Sequence, residues 1–477
     1  MSVMIGGVRI GSMRWISVYL TLMLSLPAAQ NVLLITVDDM NLDASAFGYS
    51  AVSTPNLERL AGRGVNFTKA YCQYPSCGPS RASFMTGLRP DTLQVWANRT
   101  PMRRHLSEVV TLGQHFKQNG YFTARVGKIF HYANPTDIGT DGSDDLESWD
   151  ERYNPVGIDH TQKDQITVYP KKKQNLGKSM SWWDPVSDDA EHTDGKVSQK
   201  TIELLKANKD KPFFIACGFF NPHCPYVAPR KYFDLHPLES IELQSLDEAQ
   251  AELADVPPMA LSRDKVWPYA TAQLTREQAR KCKQAYYACI SFLDTLVGQL
   301  LDALEREGLM ENTTIVFLSD HGYFIGEKGL WYKNKAFERA AQVPLIISTP
   351  ESRSRESGQE CEHPVELIDL FPTLVELTET LDAPAELEGR SLVALIEDVS
   401  SDWPHVAYTQ VNSSKGTGGY SVRDHRYRYT EWDQGSKGKE LYDHKEDPTE
   451  TVNLAHDPQY QEICRDLSQK LKRVYEK

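Results

Sequence analysis

Apolar residues follow two alternating patterns over most of this chain. Short continuous apolar runs, rich in β-branched residues, are typical of strands that are buried on both faces. Between them lie longer segments in which apolar residues recur every three or four positions, as on one face of a helix. Buried strands that alternate with amphipathic helices predict an α/β domain with a mostly parallel sheet flanked by helices.

The first apolar run, 31–37, shows the strand pattern clearly. Thr54-Pro55 after it predicts a helix start, with threonine as the N-cap and proline at the first helical position. Further strands are predicted at 121–126, 212–220, 314–319 and 343–348. Further helices are predicted at 112–117, 197–205 and 276–308.

The pattern changes after about residue 398, where turns containing glycine and serine become frequent. We therefore expect a main domain over 30–397 and a smaller α+β subdomain with an antiparallel sheet over 398–477. Its predicted elements are short strands at 406–409, 419–422 and 427–431 and an amphipathic helix at 460–475.

The first 29 residues have the features of a signal peptide. Arg9 and Arg14 precede the apolar stretch Trp15–Leu26, and Pro27-Ala28-Ala29 offers small residues for cleavage. An uncleaved anchor is the alternative, but the apolar stretch is short for a membrane span. We find no later segment apolar enough to cross a membrane. The pattern predicts an exported protein, periplasmic or secreted, without stable membrane insertion.

Length and charge narrow the class of protein further. With 477 residues, 40% of them hydrophobic, the chain can bury a large core. The net charge of −13 argues against a nucleic-acid partner, because such proteins carry a basic footprint. An anionic substrate stays compatible with this charge, since a local cluster of cations can bind it. The eight cysteines are scattered, and their pairing cannot be deduced from their spacing.

Charged and imidazole side chains follow four of the predicted strands. In an open α/β sheet, ligands bind at the carboxyl ends of the strands. Each of these residues is ordinary alone, as part of a turn or as a structural or surface side chain. Their coincidence at four strand ends predicts one shared crevice. They are Asp38 and Asp39, then Lys128 and His131, then His223, and finally Asp320 and His321.

Three carboxylates with few soft ligands favour a hard divalent cation such as Ca²⁺ or Mg²⁺, and zinc fits less well. Such a cation binds an oxygen of an anionic ester and acts as a Lewis acid. Arg81, Lys128 and Lys333 are candidates to cover the remaining negative charge. His131 and His223 suit proton transfer near neutral pH.

Cys77 alone would be interpreted as a buried thiol or as a disulfide partner of Cys72. Its context is Cys77-Gly78-Pro79-Ser80-Arg81, followed by Thr86-Gly87. This pattern resembles the signature of the formylglycine-dependent sulfatases, in which the cysteine is oxidised. Pro79 suits the first turn of a helix, which would place residue 77 at a helix N-terminus, where anions are favoured.

Further segments extend the resemblance over essentially the whole mature chain. Asp320-His321 and 329–333 are most similar to the iduronate-2-sulfatase branch, although that branch does not define one substrate. The resemblance implies an alkaline-phosphatase-like fold and a sulfated carbohydrate as substrate. The similar segments are 31–39, 54–57, 64–65, 127–131, 221–223, 319–322, 326–327, 440–443, 447–448 and 453–454.

The resemblance also implies roles for the candidate residues. A formylglycine-generating enzyme or equivalent maturase would convert Cys77 to 3-oxoalanine (formylglycine), whose hydrate attacks sulfur. Arg81 and Lys128 would stabilise that hydrate. His223 and Lys333 would bind sulfate, and either can protonate the leaving alcohol. His131 would act as the base that helps to expel sulfate. The implied calcium ligands are Asp38, Asp39, Asp320, His321 and the modified residue 77.

Two other functions fit the same fold. One is a phosphatase or phosphonate-ester hydrolase, and the other is a sugar-binding protein without catalysis. An acidic sugar would need a cation beyond those that hold the sulfate. Arg103 and Arg104 follow the signature helix and are candidates for that contact, with a solvated pair as the alternative. The polar stretch 138–178 is expected to form loops over the sheet, where substrate contacts can lie.

Overall fold

The structure is a computed structural model that describes residues 30–169, 176–261, 274–380, 383–411 and 414–475. The predicted signal peptide, 1–29, lies outside the described residues. The strands are β1 Asn31–Asp38, β2 Val65–Phe67, β3 Ala70–Tyr71, β4 Phe122–Gly127, β5 Glu151–Tyr153, β6 Thr167–Tyr169, β7 Met180–Trp183, β8 Phe213–Pro222, β9 Tyr226–Val227, β10 Thr313–Ser319, β11 Phe324–Ile325, β12 Trp331–Tyr332, β13 Gln342–Val343, β14 Leu345–Ser348, β15 Gln359–Cys361, β16 Val365–Glu366, β17 Ala407–Val411, β18 Gly419–Arg423, β19 Tyr427–Trp432 and β20 Lys439–Asp443. The α-helices are α1 Pro55–Ala61, α2 Cys77–Thr86, α3 Pro90–Leu93, α4 Leu112–Gln118, α5 Ile158–Thr161, α6 Thr193–Ala207, α7 Arg230–Phe233, α8 Leu246–Glu252, α9 Pro258–Leu261, α10 Arg276–Arg306, α11 Glu338–Ala341, α12 Pro350–Arg353, α13 Leu370–Leu377, α14 Val393–Glu397 and α15 Gln461–Tyr475.

Among the described residues, the main sheet has eight strands in the order β15-β2-β14-β10-β1-β8-β4-β5. The strands β10, β1, β8, β4 and β5 run parallel, and β14 is antiparallel to β10 and to β2. The predicted mostly parallel α/β sheet is therefore confirmed.

The sheet is buried on both faces, which explains the continuous apolar runs. Along β1, Leu33 and Ile35 belong to one hydrophobic cluster, and Val32 and Leu34 belong to the other. The first cluster includes side chains of α6 and α10, and the second includes side chains of α2, α4 and α13. A parallel strand that contacts helices on both faces has no solvent-facing position, so polar alternation is lost.

The long helix α10 begins at a capping box formed by Thr275 and Gln278. Its length and composition alone would allow a membrane span, which corrects the expectation that no later segment is apolar enough. However, 83% of its most apolar window is buried inside the protein. We therefore interpret α10 as a core helix. Asp294 on this helix accepts hydrogen bonds from the backbone N–H groups of Asn56 and Leu57, at the start of α1.

The apolar run predicted as one strand at 343–348 is divided at Pro344. Val343 ends β13, which pairs with β3 in a small sheet, and Leu345 begins β14 in the main sheet. Proline has no backbone N–H and does not continue a ladder of hydrogen bonds, which accounts for the division.

The strands β17 to β20 form an antiparallel sheet in sequential order. Helix α15 packs on β18 and β19, with Leu467 and Leu471 in their shared cluster. The expected antiparallel sheet is thus present, with β20 as a further strand. The proposed boundary between 397 and 398 falls between α14 and β17. All eight cysteines lie in the described ranges and are buried thiols without disulfide bonds.

Candidate active site

The predicted strand ends meet at one edge of the main sheet. In the β1–β10 pair, Val37 lies opposite Ser319, so Asp38 and Asp320 follow neighbouring positions. In the β1–β8 pair, Asp38 lies opposite Pro222, and His223 is the next residue. Because parallel strands all end at the same edge, residues far apart in the chain are brought together there.

Cys77 is the first residue of α2 and is completely buried. The side chain of the N-cap residue, Ser76, makes no capping hydrogen bond. Instead, Oδ1 of Asn98 accepts hydrogen bonds from the backbone N–H of Gly78 and from Oγ of Ser76, both at 2.9 Å. The helix start is therefore held by a side chain from outside the signature. Sequence reasoning missed Asn98, because no local pattern connects it to α2.

Charged and imidazole groups surround the sulfur atom of Cys77. Nζ of Lys333 lies 3.0 Å from Sγ, and Nε2 of His321 lies 3.5 Å from it. Oδ1 of Asp39 is 3.9 Å from Sγ and also contacts Lys333. Asp39 has a left-handed backbone with φ of 67°, an uncommon conformation for a residue other than glycine, and one that clusters at functional sites.

The donor set fits a hard divalent cation. Potential ligand atoms of Asp38, Cys77, Asp320 and His321 all lie within 4.8 Å of one another, and Asp39 joins Asp38 and Cys77 in a second such group. Two buried carboxylate oxygens, Oδ1 of Asp38 and Oδ2 of Asp39, have no hydrogen-bond partner. Buried charged oxygens need a partner, and a cation among them would provide one.

The tautomer of His321 agrees with this interpretation. Nδ1 of His321 lies 2.8 Å from the carbonyl oxygen of Gly322, which can only accept a hydrogen bond. Nδ1 therefore carries the hydrogen, and Nε2 has its lone pair free to bind a metal. Nε2 lies 3.3 Å from Oδ1 of Asp39 and 3.5 Å from Oδ1 of Asp320.

The carboxylates of the cluster differ in their electrostatic surroundings. Burial, together with the nearby Asp38 charge, raises the pKa of Asp39 to about 8 despite the attraction of Lys333. Burial also acts to raise the pKa of Asp38, but Lys128 and further cations hold that pKa well below its usual range. Lys128 contacts Oδ2 of Asp38 through Nζ. Desolvation of adjacent carboxylates favours a bound cation at this position.

Arg81, four residues after Cys77 on α2, is completely buried. Its Nε donates to Oδ2 of Asp320 at 2.9 Å, and Nη1 donates to the carbonyl oxygens of Lys128 and Ile129. These hydrogen bonds orient Asp320 and join α2 to the turn after β4. Through these hydrogen bonds Arg81 positions Asp320, one of the proposed metal ligands. The expected contact between Arg81 and a formylglycine hydrate stays a prediction.

The carboxylate cluster formed by Asp38, Asp39 and Asp320 opens, through Asp39, into a cleft of about 1830 Å³. Asp39, His131, His223 and Lys333 all line this cleft. Residues of the polar stretch 138–178 form part of its wall, as expected, although β6 within that stretch is a strand and not a loop. Nδ1 of His223 contacts the carbonyl oxygen of Cys224, so Nδ1 carries the hydrogen and Nε2, 3.8 Å from Oδ2 of Asp39, is the basic atom.

His131 is neutral at neutral pH. Burial and the charge of Lys128 lower the pKa of His131 to about 3. Its Nδ1 atom is buried without a hydrogen-bond partner. The ring is therefore neutral with a free lone pair, but a pKa this low makes it a weak base; a general base here requires negative charge in the cleft to raise that pKa.

Comparison with known proteins decides the family. The sulfatase family model matches residues 30–380, and a model described as the C-terminal part of N-sulphoglucosamine sulphohydrolase matches residues 326–477. This chain belongs to the sulfatase family. It is a sulfatase enzyme that hydrolyses sulfate esters, as the resemblance of the signature implied. Membership of the family implies oxidation of the signature cysteine, Cys77, and a bound metal ion.

Two relatives are similar to the sulfatase in sequence, and one solved structure is similar to it in fold. It is 35% identical over 437 residues to a sulfatase of Formosa agariphila, covering 89% of this chain and 83% of the relative. It is 31% identical over 524 residues to the iduronate 2-sulfatase of Mus musculus, covering 92% and 93%. Its fold is similar to that of a phosphonate monoester hydrolase of Agrobacterium radiobacter, with a TM-score of 0.76, 22% identity and coverage of 93% and 95%.

Arg103 and Arg104, the candidates for contact with an acidic sugar, are not among the described residues that line the cleft of the sulfatase. Arg103 forms a two-point ion pair with Asp145, and its Nη1 donates to the carbonyl oxygens of Ser107 and Val109. The planar guanidinium of arginine often binds a carboxylate through two parallel hydrogen bonds, as it does here. Arg99, four residues earlier than Arg103, lines the cleft instead.

Proposed function

We propose that this sulfatase releases sulfate from a carbohydrate outside the cytoplasm, with formylglycine at position 77 and Ca²⁺ in the carboxylate cluster. The observation that carries the proposal is the position of Cys77 at the start of α2, 3.0 Å from Nζ of Lys333 and beside Asp38, Asp39 and Asp320. A helix N-terminus, a lysine and a divalent cation all favour the anionic oxygens of a sulfate ester.

Formylglycine would supply a hydrated aldehyde, in which one hydroxyl attacks sulfur and the other later collapses to C=O as sulfate leaves. Oxidation of Cys77 requires a formylglycine-generating enzyme or an equivalent maturase. The segment Cys77-Gly78-Pro79-Ser80-Arg81, with Arg81 buried among the carboxylates, supports this assignment.

Side chains at the floor of the cleft suggest a division of roles. His223 and Lys333 lie beside residue 77 and bind the sulfate group, and either of them protonates the leaving alcohol. His131 accepts a proton in the later step, because Nδ1 has no hydrogen-bond partner and the negative charge of bound sulfate would raise the low pKa of the ring. Lys128 and Arg81 balance the charge of Asp38 and Asp320.

Calcium is the proposed ion because the cluster is dominated by carboxylate oxygens. Ca²⁺ accepts such oxygens in flexible geometry, whereas Mg²⁺ demands a near-ideal octahedron and keeps more of its water. His321 is the one nitrogen donor proposed, with Nε2 directed at Asp39 and Asp320. The ion would draw negative charge from the sulfate ester during attack.

A carbohydrate substrate is supported by the relatives and by the size of the cleft. One relative is named for iduronate, a sugar acid. The cleft volume of about 1830 Å³ exceeds the range of roughly 300–1,000 Å³ that is usual for small-molecule pockets. Such a cleft has room for more than one sugar ring.

The proposed location, periplasmic or secreted, rests on the pattern of residues 1–29. We also propose that the chain divides into 30–397 and 398–477, because an antiparallel sheet with its own cluster lies in the second part.

The test uses protein coexpressed with a maturase, with residue 77 verified by mass spectrometry as the aldehyde or its hydrate. We expect 4-nitrophenyl sulfate to be turned over repeatedly, and faster than the matched aryl phosphate or phosphonate monoester. Sulfate release is then measured on a panel of defined sulfated glycans. Cys77→Ala should abolish turnover while the protein stays folded.

Three results would contradict the proposal. Faster hydrolysis of the phosphonate monoester would favour the phosphonate-ester hydrolase. Glycan binding without any turnover would favour a sugar-binding protein. Repeated turnover by protein with an unmodified thiol at position 77 would overturn the formylglycine mechanism.

A further inference from the structure

Arg99 is joined to the start of α2 through its neighbour Asn98. Oδ1 of Asn98 accepts hydrogen bonds from Ser76 and Gly78, and a Cβ atom on Gly78 would lie only 2.5 Å from Cα of Asn98. The backbone of residue 98 therefore touches the first turn of the helix that begins with Cys77. Consecutive Cα atoms are about 3.8 Å apart, so the backbone of Arg99 lies close to the reactive residue.

The side chain of Arg99 is available to a ligand. Arg99 lines the cleft and is exposed. Within the described part of the chain, no hydrogen bond or ion pair of its guanidinium is found, in contrast to Arg103, whose fork is fully engaged. A planar guanidinium binds carboxylate and sulfate groups through two parallel hydrogen bonds.

Two further cations line the same cleft. Lys163 and Lys178 are exposed and, among the described residues, have no ion-pair partner. Asp164 is the only carboxylate of the described lining besides Asp39. The cleft is thus locally cationic in a chain whose net charge is −13. A cationic cleft on an acidic protein concentrates anions of more than one charge.

We propose that Arg99 determines specificity by binding a second anionic group of the substrate, a carboxylate or a further sulfate next to the sulfate that is removed. Lys163 and Lys178 extend this contact to anionic groups on the neighbouring sugar. The inference rests on the proposed carbohydrate substrate and specifies it as a polyanionic one. Lys333, held by Cys77 and Asp39, remains with the sulfate that is removed.

The test compares matched substrates. The probes are a sulfated disaccharide that contains a uronate, the same disaccharide with its carboxyl group reduced to an alcohol, and the uronate disaccharide with one additional sulfate. Arg99→Ala and Arg99→Lys are compared with Arg465→Ala, which removes an exposed arginine from α15 and does not line the cleft.

For Arg99→Ala we expect kcat/KM on the better anionic probe to fall by about ten- to a hundredfold, mainly through KM, as for loss of one charge-assisted hydrogen-bonded pair. On the matched probe without that anionic group, the fall in kcat/KM should be smaller by about fivefold or more, because the contact with Arg99 is not made there. Arg99→Lys should retain part of the preference, because it keeps the charge without the fork. Arg465→Ala should leave all three values unchanged.

The three probes form two pairs, one that differs by the carboxylate and one that differs by the additional sulfate. If Arg99→Ala changes the ratio of kcat/KM more within the carboxylate pair, Arg99 binds a uronate. If it changes the ratio more within the sulfate pair, Arg99 binds a second sulfate.

Equal losses on all probes, or none on any, would overturn the inference. If the wild-type enzyme hydrolyses 4-nitrophenyl sulfate and no carbohydrate, the proposed substrate class fails on its own. In that case the disaccharides serve as competitive inhibitors of aryl sulfate hydrolysis. An inhibition constant that Arg99→Ala raises only for the anionic member of a pair would support the inference, and equal constants would refute it.

Discussion

Nζ of Lys333 lies 3.0 Å from Sγ of Cys77, although 256 positions separate the two residues in the chain. The contact exists because the residues after β12 pack against the segment before α2, where the backbone N–H of Asn334 donates to the carbonyl oxygen of Pro75 at 3.0 Å. Lys333 also contacts Asp39, and the two contacts hold its charge beside the reacting residue.

Replacing Lys333 should therefore remove charge from the reacting centre. We expect Lys333→Ala to lower kcat/KM on 4-nitrophenyl sulfate by about a hundredfold or more, as for loss of one preorganised electrostatic contact. Lys333→Arg should recover part of this loss, because the positive charge remains. Lys437→Ala, which removes an exposed lysine far along the chain in the C-terminal subdomain, serves as the control. Wild-type kinetics in Lys333→Ala would contradict this role.

The metal cluster leads to a prediction about calcium content. Asp39→Ala removes a carboxylate with an unpartnered buried oxygen, so both bound calcium and turnover should decrease. Elemental analysis of protein passed over a chelating column measures the first quantity, and aryl sulfate hydrolysis measures the second. Asp164→Ala removes a carboxylate of the cleft wall and should leave the calcium content unchanged. Equal calcium in Asp39→Ala and the parent would mean that the ion lies elsewhere.

The two cleft histidines should affect different steps. If His131 is the late base, His131→Ala should accumulate enzyme with one added sulfate on the peptide that carries residue 77. Rapid quenching and mass spectrometry of that peptide detect the mass increase. His223→Ala should instead slow the first step, most strongly for alcohols that leave poorly. Absence of a trapped adduct in His131→Ala would argue against this assignment.

Arg103 should stabilise the fold without contributing to substrate preference. Arg103→Ala leaves the largely buried Asp145 without its ion-pair partner, although Ser148 still donates to it, and we expect a loss of roughly 2–4 kcal/mol in the free energy of unfolding. Chemical denaturation measures this loss. The ratio of kcat/KM between anionic and neutral substrates should stay at its wild-type value, in contrast to Arg99→Ala. A changed ratio would restore Arg103 as a substrate contact.

His236 should make folding stability depend on pH. Burial lowers the pKa of His236 to about 4 from its usual 6.5, and its Nε2 lies 2.9 Å from Oγ of Ser291. Between these two pH values the unfolded chain binds a proton and the folded protein does not, so stability falls as pH decreases from 6.5 to 4. The loss at pH 4 amounts to about 3 kcal/mol or less, since one pKa unit corresponds to roughly 1.4 kcal/mol.

His236→Asn should weaken this dependence, because asparagine does not titrate and can still bond to Ser291. Thermal unfolding of both proteins between pH 7 and pH 4 measures the difference. The two unfolding temperatures should converge as the pH falls. Parallel curves would show that His236 does not carry the acid sensitivity.

Periodicity along the chain is sufficient to predict the α/β class, the succession of central strands and helices along the sequence, and the antiparallel sheet that follows them. A strand such as β1, buried on both faces, must be apolar throughout, and this is visible locally. The strand-end rule also predicts that Asp38, His223 and Asp320 meet, since parallel strands end at one edge. The signature around Cys77 adds the chemistry.

Other features depend on packing between distant segments, which no local spacing encodes. Asn98 holds the start of α2, and Lys333 reaches Cys77 from a loop that is hydrogen-bonded to the segment before α2. Arg103 and Arg99 are equally charged and only four positions apart, yet one is bound to Asp145 and the other lines the cleft. An arginine's contacts depend on which acceptors the folded chain brings within reach, so tertiary structure alone decided between them.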